Sequence, residues 1–320
     1  MDARCAERRR VTVTRTGLTP EVSVVVIFKD AGGFLEEAIE SVRFQSLDNW
    51  ELLLVDDGST DESTSVALRH VAHDRPRVTY LEHPGHANLG MSAARNLGVA
   101  HAHGEFVSFL DADDVLVPAA LEEQVALLRA NPRAGMVYGP LEYWYGWTGE
   151  AADAARDFVY PVGVATNRLY EPPTLISLFI QDIAFAPSGM LLRRTLIEQV
   201  GGHEESFRDL YEDQVFAAKI CRTAPVYISD KCWYRYRQHR DACCQTAQRE
   251  GRLDASRDPF LRWLLAYLEE EGLECSGAWR LARQELDVLH SSSRLRLVDK
   301  RRVVKQRLAA LVGGFGGAKR

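Results

Sequence analysis

The hydrophobic pattern begins at Glu21. From Val22 to Phe28 the chain reads Val-Ser-Val-Val-Val-Ile-Phe, an unbroken β-branched run of strand length. Such a run predicts a strand buried on both faces, as in a parallel sheet. Gly32-Gly33 break it. Leu35, Ile39 and Val42 then recur at helical spacing between Phe34 and Gln45. Glu51 to Val55 is a second apolar strand, closed by Asp56-Asp57-Gly58-Ser59, and Thr60 or Asp61 can cap a helix running to about His70. Arg77–Leu81 reads as a third strand, Ser92–Ala102 as a helix and Glu105–Leu110 as a fourth strand, closed by Asp111-Ala-Asp-Asp114. Pro118 suits the first turn of a helix through Arg129. This alternation predicts a parallel, doubly wound α/β half.

The second half is less regular. Ala134–Tyr145 reads as one aromatic-rich strand, Thr148–Pro173 as a long loop and Ala186–Leu192 as a strand. A helix over Thr195–Val200 ends at Gly201-Gly202. Tyr211–Arg222 is helical, Val226–Tyr236 is mostly strand, and only helical patterns follow from about residue 256. No internal repeat is present.

Length and composition bound these readings. At 320 residues, with 46% hydrophobic and 26% charged, the chain buries its core without disulfides or metals. No apolar run approaches the roughly 18–20 residues of a membrane span, and no apolar segment follows Arg8-Arg9-Arg10 to make a signal peptide. The cysteines form no CxxC pair, which argues against structural zinc and for a reducing, cytoplasmic setting.

Charge is unevenly spread. The net charge is −6, yet residues 294–320 carry nine Lys/Arg against Asp299 alone, a net +8, which leaves −14 for the remainder. An acidic body argues against a nucleic-acid partner. In the basic segment Leu297, Val298, Val304, Leu308 and Leu311 recur at helical spacing around Arg301, Arg302, Lys305 and Arg307. Two readings stand: a helix lying on an anionic membrane surface, or one packed on the domain with its basic face in water.

In open α/β sheets ligands bind at the carboxyl ends of parallel strands. Two of those ends carry carboxylates, Asp56-Asp57 and Asp111-x-Asp113. The plain alternatives are an Asp-Gly turn and acids at a helix start. On extended backbone, residues i and i+2 point to one side, so Asp111 and Asp113 can share a hard cation, Mg²⁺ or Mn²⁺, that also takes substrate phosphates. The chain lacks both the GxGxxG and the GxxxxGK[ST] phosphate loops. Trp144, Tyr145 and Trp147 cluster before the long loop, suited to core packing or to stacking on a sugar. His83 with His86, and His101 with His103, have chelating spacings but read better as structural.

These residues resemble a family. Val22-Ser-Val-Val-Val, Phe34-Leu-x-x-Ala-Ile-x-Ser41, Glu51-Leu-Leu-Leu-Val-Asp-Asp-Gly-Ser-Thr-Asp61, Ser92-Ala-Ala-Arg-Asn-Leu-Gly98, Gly104-Glu-Phe-x-x-Phe-Leu-Asp-Ala-Asp-Asp114 and Tyr211-Glu-Asp-Gln214 look like the inverting family 2 glycosyltransferases. The resemblance runs from about residue 21 to 240. It implies the GT-A fold, a mixed α/β sheet flanked by helices. The division it suggests is a tail over residues 1–20, a catalytic domain over 21–245 and a C-terminal helical extension over 246–320.

The resemblance also implies roles. Asp57 matches the carboxylate that binds the donor's base, Asp113 the metal ligand, and Asp111 its partner on the sugar or metal side. Arg95 matches a basic residue near the nucleotide, and Asp213 the catalytic base. His239, in Tyr236-Arg-Gln-His239, matches a residue approaching the metal or diphosphate. Phe28 lies in the stretch that packs on the nucleotide, though its neighbours Ile27, Lys29 and Asp30 replace the family's usual Pro, Tyr and Asn. Trp144, Trp147, Glu212 and the segment 181–189 fall on the acceptor side.

The expected chemistry is a single displacement from a nucleotide sugar, UDP being the commonest carrier, to a hydroxyl of a saccharide, lipid-linked or other acceptor. Mn²⁺ or Mg²⁺ neutralises the leaving diphosphate. At a helix start the macrodipole should lower the pKa of Asp213 and keep it ionised. The competing classes are a nucleotidyltransferase, which would want a basic glycine-rich loop after the first strand, and a non-catalytic module that keeps the fold.

Overall fold

The computed structural model describes residues 19–181, 189–208 and 210–291. The expectations for the N-terminal tail up to residue 18, for residues 182–188 and for the basic segment 294–320 lie outside them.

The strand predicted at Val22 is β1 (Val22–Phe28), buried at every position. β2 (Trp50–Asp56) and β4 (Phe106–Asp111) flank it in parallel, with Val25 level with Leu53 on one side and Phe109 on the other; β3 (Val78–Glu82) pairs outside β2. The unbroken apolar run follows from this placement, because β1 has neighbours on both edges and cover on both faces. α1 (Gly32–Arg43), α2 (Ser63–His73) and α3 (Met91–Ala100) follow β1, β2 and β3. α1 buries Leu35, Ala38, Ile39 and Val42, the positions its spacing predicted. The side chain of Asp61 accepts from the backbone of Ser63 and of Gly32, so one carboxylate fixes the starts of α2 and α1. On α3 a Cβ at Gly98 would collide with Val25, so this glycine sets the close approach of helix to sheet.

After β5 (Val115–Leu116) and α4 (Ala120–Ala130) the chain departs from its pattern. The single strand expected over Ala134–Tyr145 is two, β6 (Met136–Tyr138) and β7 (Leu141–Trp144). The expected loop holds α5 (Ala151–Ala154), β8 (Phe158–Tyr160) and β9 (Arg168–Tyr170). Then come α6 (Ile176–Ile180), β10 (Leu191–Arg193), α7 (Arg194–Gln199) and α8 (Glu212–Thr223). The strand expected over Val226–Tyr236 is also two, β11 (Val226–Ile228) and β12 (Tyr234–Arg237).

The splitting has one cause. β6 and β11 pair in parallel in an eight-stranded sheet of order β3-β2-β1-β4-β10-β6-β11-β9, while β7 and β12 pair in parallel in a four-stranded sheet, β5-β12-β7-β8. Two adjacent chain segments thus leave the large sheet together and enter the small one together. At the crossing a Cβ on Gly139 would collide with the carbonyl of Lys231, so glycine lets the segments touch. The large sheet is mixed, since β10 is antiparallel to both β4 and β6.

The C-terminal helices α9 (Cys243–Arg249), α10 (Leu253–Glu270) and α11 (Gly277–His290) bear out the all-helical reading from residue 256 as far as the described residues run, to Ser291. The boundary expected at residue 245 falls inside α9. Phe260, Leu261, Leu264 and Leu268 of α10 are fully buried and belong to the same core as the sheet. Tyr211, immediately before α8, stacks on Phe260 with ring centroids 5.0 Å apart.

Candidate active site

The carboxyl ends of β1, β2 and β4 open on one edge of the large sheet, and the acidic pairs stand there. Asp56 is a structural residue. It is fully buried and accepts from Ser59 N, Thr64 Oγ1 and Tyr80 Oη. Asp57 reaches across to the loop before α3. Its Oδ1 accepts from Leu89 N at 2.8 Å and its Oδ2 from Gly90 N at 3.0 Å. Phe28 is 3% exposed and packs in the core, and its carbonyl accepts from Asp57 N.

The carboxylates of the Asp111-x-Asp113 pair have different partners. Asp111 Oδ1 accepts from Arg95 Nη2 at 2.8 Å. Asp113 Oδ2 lies 3.0 Å from His239 Nε2. Asp114 is buried: Oδ1 accepts from Arg237 N and Oδ2 from the Tyr234 hydroxyl. Burial, with Asp113 and Asp111 nearby, pushes its pKa well up.

Arg95 is 5% exposed, and its guanidinium forks between Asp111 and Glu212. Glu212, expected on the acceptor side, is buried against that guanidinium. Burial raises its pKa to about 7 against the opposing pull of Arg95.

Asp213 occupies the first turn of α8 beside Glu212, half-buried, with Oδ1 accepting from Gln214 N. Its pKa is raised, not lowered. Loss of hydration outweighs the backbone N–H and Arg95, so the helix-start argument gave the wrong sign.

Trp144 and Trp147 are half-buried and pack around Arg237, whose guanidinium carbon lies 4.6 and 5.3 Å from their ring centres and 4.9 Å from that of Phe34. Phe34 in turn meets the His239 ring at 4.7 Å. The aromatic cluster is therefore a wall behind Asp113 and His239.

Comparison with known proteins decides the family. The family model described as glycosyl transferase family 2 matches residues 23–201, more than half of the chain. This chain belongs to glycosyl transferase family 2. It is 38% identical over 112 residues to the putative glycosyltransferase EpsE of Bacillus subtilis, which covers 35% of this chain and 40% of EpsE. It is 29% identical over 287 residues to the putative glycosyltransferase EpsH of the same organism, covering 86% of this chain and 76% of EpsH. The chain spans 14% and 40% of the length of two of the curated relatives it matches. Among solved structures, TarS 1–349 of S. aureus in complex with UDP-GlcNAc aligns over 83% of this chain and 70% of its own, with TM-score 0.60 at 18% identity. The mannosyltransferase PcManGT of Pyrobaculum calidifontis, in complex with GDP-Man and Mn²⁺, covers 92% of this chain and 81% of its own, with TM-score 0.53 at 20% identity. These likenesses show the GT-A fold.

Within this family 2 chain the structure also separates the histidines. His86 meets Glu82 and the Ser59 carbonyl, His103 meets Glu51, and His101 meets the Leu97 carbonyl. Among the described residues a three-ligand group with atoms in mutual reach occurs elsewhere, at Glu36, Glu40 and His70, where Arg69 and Arg43 already pair with the two carboxylates.

Arg237 and Glu37 escaped the sequence reading. Arg237 lies within the Tyr236-Arg-Gln-His239 element without a role assigned to it, yet it is 2% exposed and its Nη2 donates to Glu37. The legible signal was the run of aromatics around it.

Proposed function

We propose that the chain is a metal-dependent, inverting glycosyltransferase. It moves a sugar from a nucleoside-diphosphate sugar, a UDP-sugar foremost, to a hydroxyl of a saccharide or lipid-linked acceptor. One observation carries this reading: Asp111, at the end of β4, and Glu212, beside Asp213 at the start of α8, are joined by Arg95.

Asp57 is the residue that reads the base, held at the mouth of the 89–90 loop. Asp113, Asp111 and His239 offer two carboxylates and an imidazole, a donor set that suits Mn²⁺ or Mg²⁺. The ion supplies charge neutralisation for a departing diphosphate. Asp213 takes the acceptor's proton. Its raised pKa suits that role, because a base titrating closer to neutrality accepts a proton more readily. Attack opposite the leaving group inverts the anomeric carbon and needs no covalent enzyme intermediate. Trp144 and Trp147 contribute the wall beside the acceptor. Among the described residues no helix is long and apolar enough to cross a membrane. We place the enzyme in the cytoplasm, with residues 294–320 as its contact with an anionic membrane face.

The test is thermal melting against a panel of nucleoside diphosphates and nucleotide sugars, with and without Mn²⁺. A ligand that binds the folded form raises the melting temperature. The expected result is a metal-dependent shift for UDP that Asp113→Ala abolishes. No shift with any nucleotide overturns the reading.

A further inference from the structure

The motif Ser92-Ala-Ala-Arg95-Asn96 places three polar side chains at i, i+3 and i+4, on one face of α3. All three hold the segment that leads into α8. Ser92 Oγ donates to the Phe207 carbonyl at 2.6 Å. Asn96 Oδ1 accepts from His203 N at 2.8 Å, and its Nδ2 donates to the His203 carbonyl at 3.0 Å. Gly202 sits so close to Asn96 that a Cβ there would strike the amide. Arg95 closes the row by gripping Glu212, the residue before Asp213, while its other nitrogen grips Asp111 at the end of β4.

We propose that Arg95 is a positioning residue which fixes the donor-side carboxylate Asp111 and the base-bearing turn of α8 in one register, and that it does not contact the nucleotide. This rests on the glycosyltransferase reading with Asp213 as base. The geometry supplies the reasons. A planar guanidinium holds two carboxylates at a fixed separation, which a lysine ammonium cannot do. Arg95 and Glu212 are both about nineteen-twentieths buried, so the grip is screened from solvent. The other Glu212 oxygen finds no partner among the described residues, which leaves Arg95 as the group that balances its charge there. Successive helical residues are turned by roughly 100°, so a Glu212 locked inward fixes the direction in which Asp213 points. Misplacing a reacting group by an ångström costs on the order of a hundredfold in rate.

The test separates binding from turnover. Arg95→Ala leaves Glu212 buried and unpaired and is prone to unfold, so the variants are Arg95→Lys and Glu212→Gln, with melting temperatures measured alongside. UDP affinity is read by calorimetry with Mn²⁺. Turnover is read as nucleoside-diphosphate release at saturating donor, using whichever nucleotide sugar the wild type accepts. Both variants should bind UDP within threefold of wild type and lose at least thirtyfold in kcat per folded molecule. A tenfold or greater rise in the UDP Kd of Arg95→Lys, whatever its kcat, means that Arg95 contacts the nucleotide and overturns the proposal. A lower melting temperature with kcat preserved means a merely structural role and also overturns it. A wild type that binds UDP and turns over while both variants match it defeats this inference alone; a wild type that binds no nucleotide defeats the glycosyltransferase reading as well.

Discussion

Arg237 Nε donates a 2.6 Å hydrogen bond to the backbone carbonyl of Asp113, 124 residues earlier in the chain. The same residue's backbone N–H donates to Asp114 Oδ1, and its Nη2 to Glu37 Oε2. One buried side chain therefore ties β12 and α1 to the turn that carries the Asp111-x-Asp113 pair. Its flat faces are covered by Phe34, Trp144 and Trp147. Phe34 also packs on His239, so Arg237 supports both sides of the Asp113–His239 contact.

Arg237→Gln should accordingly lower stability by about 2 kcal/mol, the scale for losing hydrogen bonds made by a charged donor, and weaken Mn²⁺-dependent UDP binding by tenfold or more. Arg237→Lys keeps the charge without the fork and should recover little. Melting curves and calorimetry read both. A glutamine variant with wild-type UDP affinity would show that the turn holds its shape unaided.

The first half of this architecture was legible because its strands are long and buried on both faces. Val22–Phe28 and Glu51–Val55 leave no room for a competing period, and Gly32-Gly33 and Asp57-Gly58 mark their ends. The second half failed where strands of three or four residues change sheets. Nothing in the aromatic pattern of Ala134–Tyr145 says that Tyr138 and Leu141 belong to different sheets, and the breaking signal, Gly139-Pro140, acts through contact with Lys231, 92 residues away in sequence. Site residues were legible as chemical types and less so as partners. Asp57 follows β2, Asp111 ends β4 with Asp113 just beyond it, and Asp213 stands in the first turn of α8. That Arg95 faces Glu212 depends on how α3 docks against the start of α8, which no local spacing encodes.

Asp213→Asn should reduce kcat by roughly 10²–10⁴, the usual contribution of a general base, with UDP affinity within twofold of wild type. Because burial raises the pKa of Asp213, the acid limb of the wild-type kcat profile should lie above the ordinary aspartate range, since the ionised form is the one that works. Initial-rate measurements across pH check this. An unchanged kcat in the asparagine variant would remove Asp213 from the mechanism.

Glu212 makes stability depend on pH in a definite direction. Its folded pKa of about 7 lies above the ordinary 4.5, because burial penalises the ionised form more than Arg95 rescues it. The folded state therefore holds the proton more tightly than the unfolded chain. The stability this gives is fully present below about pH 4.5 and is lost as pH rises through about 7, by on the order of 3 kcal/mol. Asp213, whose pKa is also raised, titrates in the same sense. Glu212→Gln carries no titrating proton, so its melting temperature should fall less than that of wild type between pH 5 and 8. Parallel curves for the two proteins would place the ionised form of Glu212 in the folded state throughout.

His86 gives the opposite assignment of protons. Its Nδ1 lies 2.8 Å from Glu82 Oε2 and its Nε2 lies 2.8 Å from the Ser59 carbonyl. Both partners are acceptors, so both ring nitrogens must carry protons, which only the imidazolium does. The Ser59 carbonyl and Glu82 accordingly raise its pKa. His86 holds a left-handed backbone, φ 55°, in the loop whose Leu89 and Gly90 amides grip Asp57. With the folded pKa raised, the latch is fully present below the ordinary histidine pKa of 6.5 and is lost as pH rises through the folded value. If Asp57 reads the base, UDP should bind wild type more tightly at pH 6 than at pH 8.5. His86→Gln, a neutral side chain, should show a flatter dependence and resemble high-pH wild type. Calorimetric titration of UDP at both pH values reads the difference, and equal slopes for the two proteins would disconnect the latch from the nucleotide site.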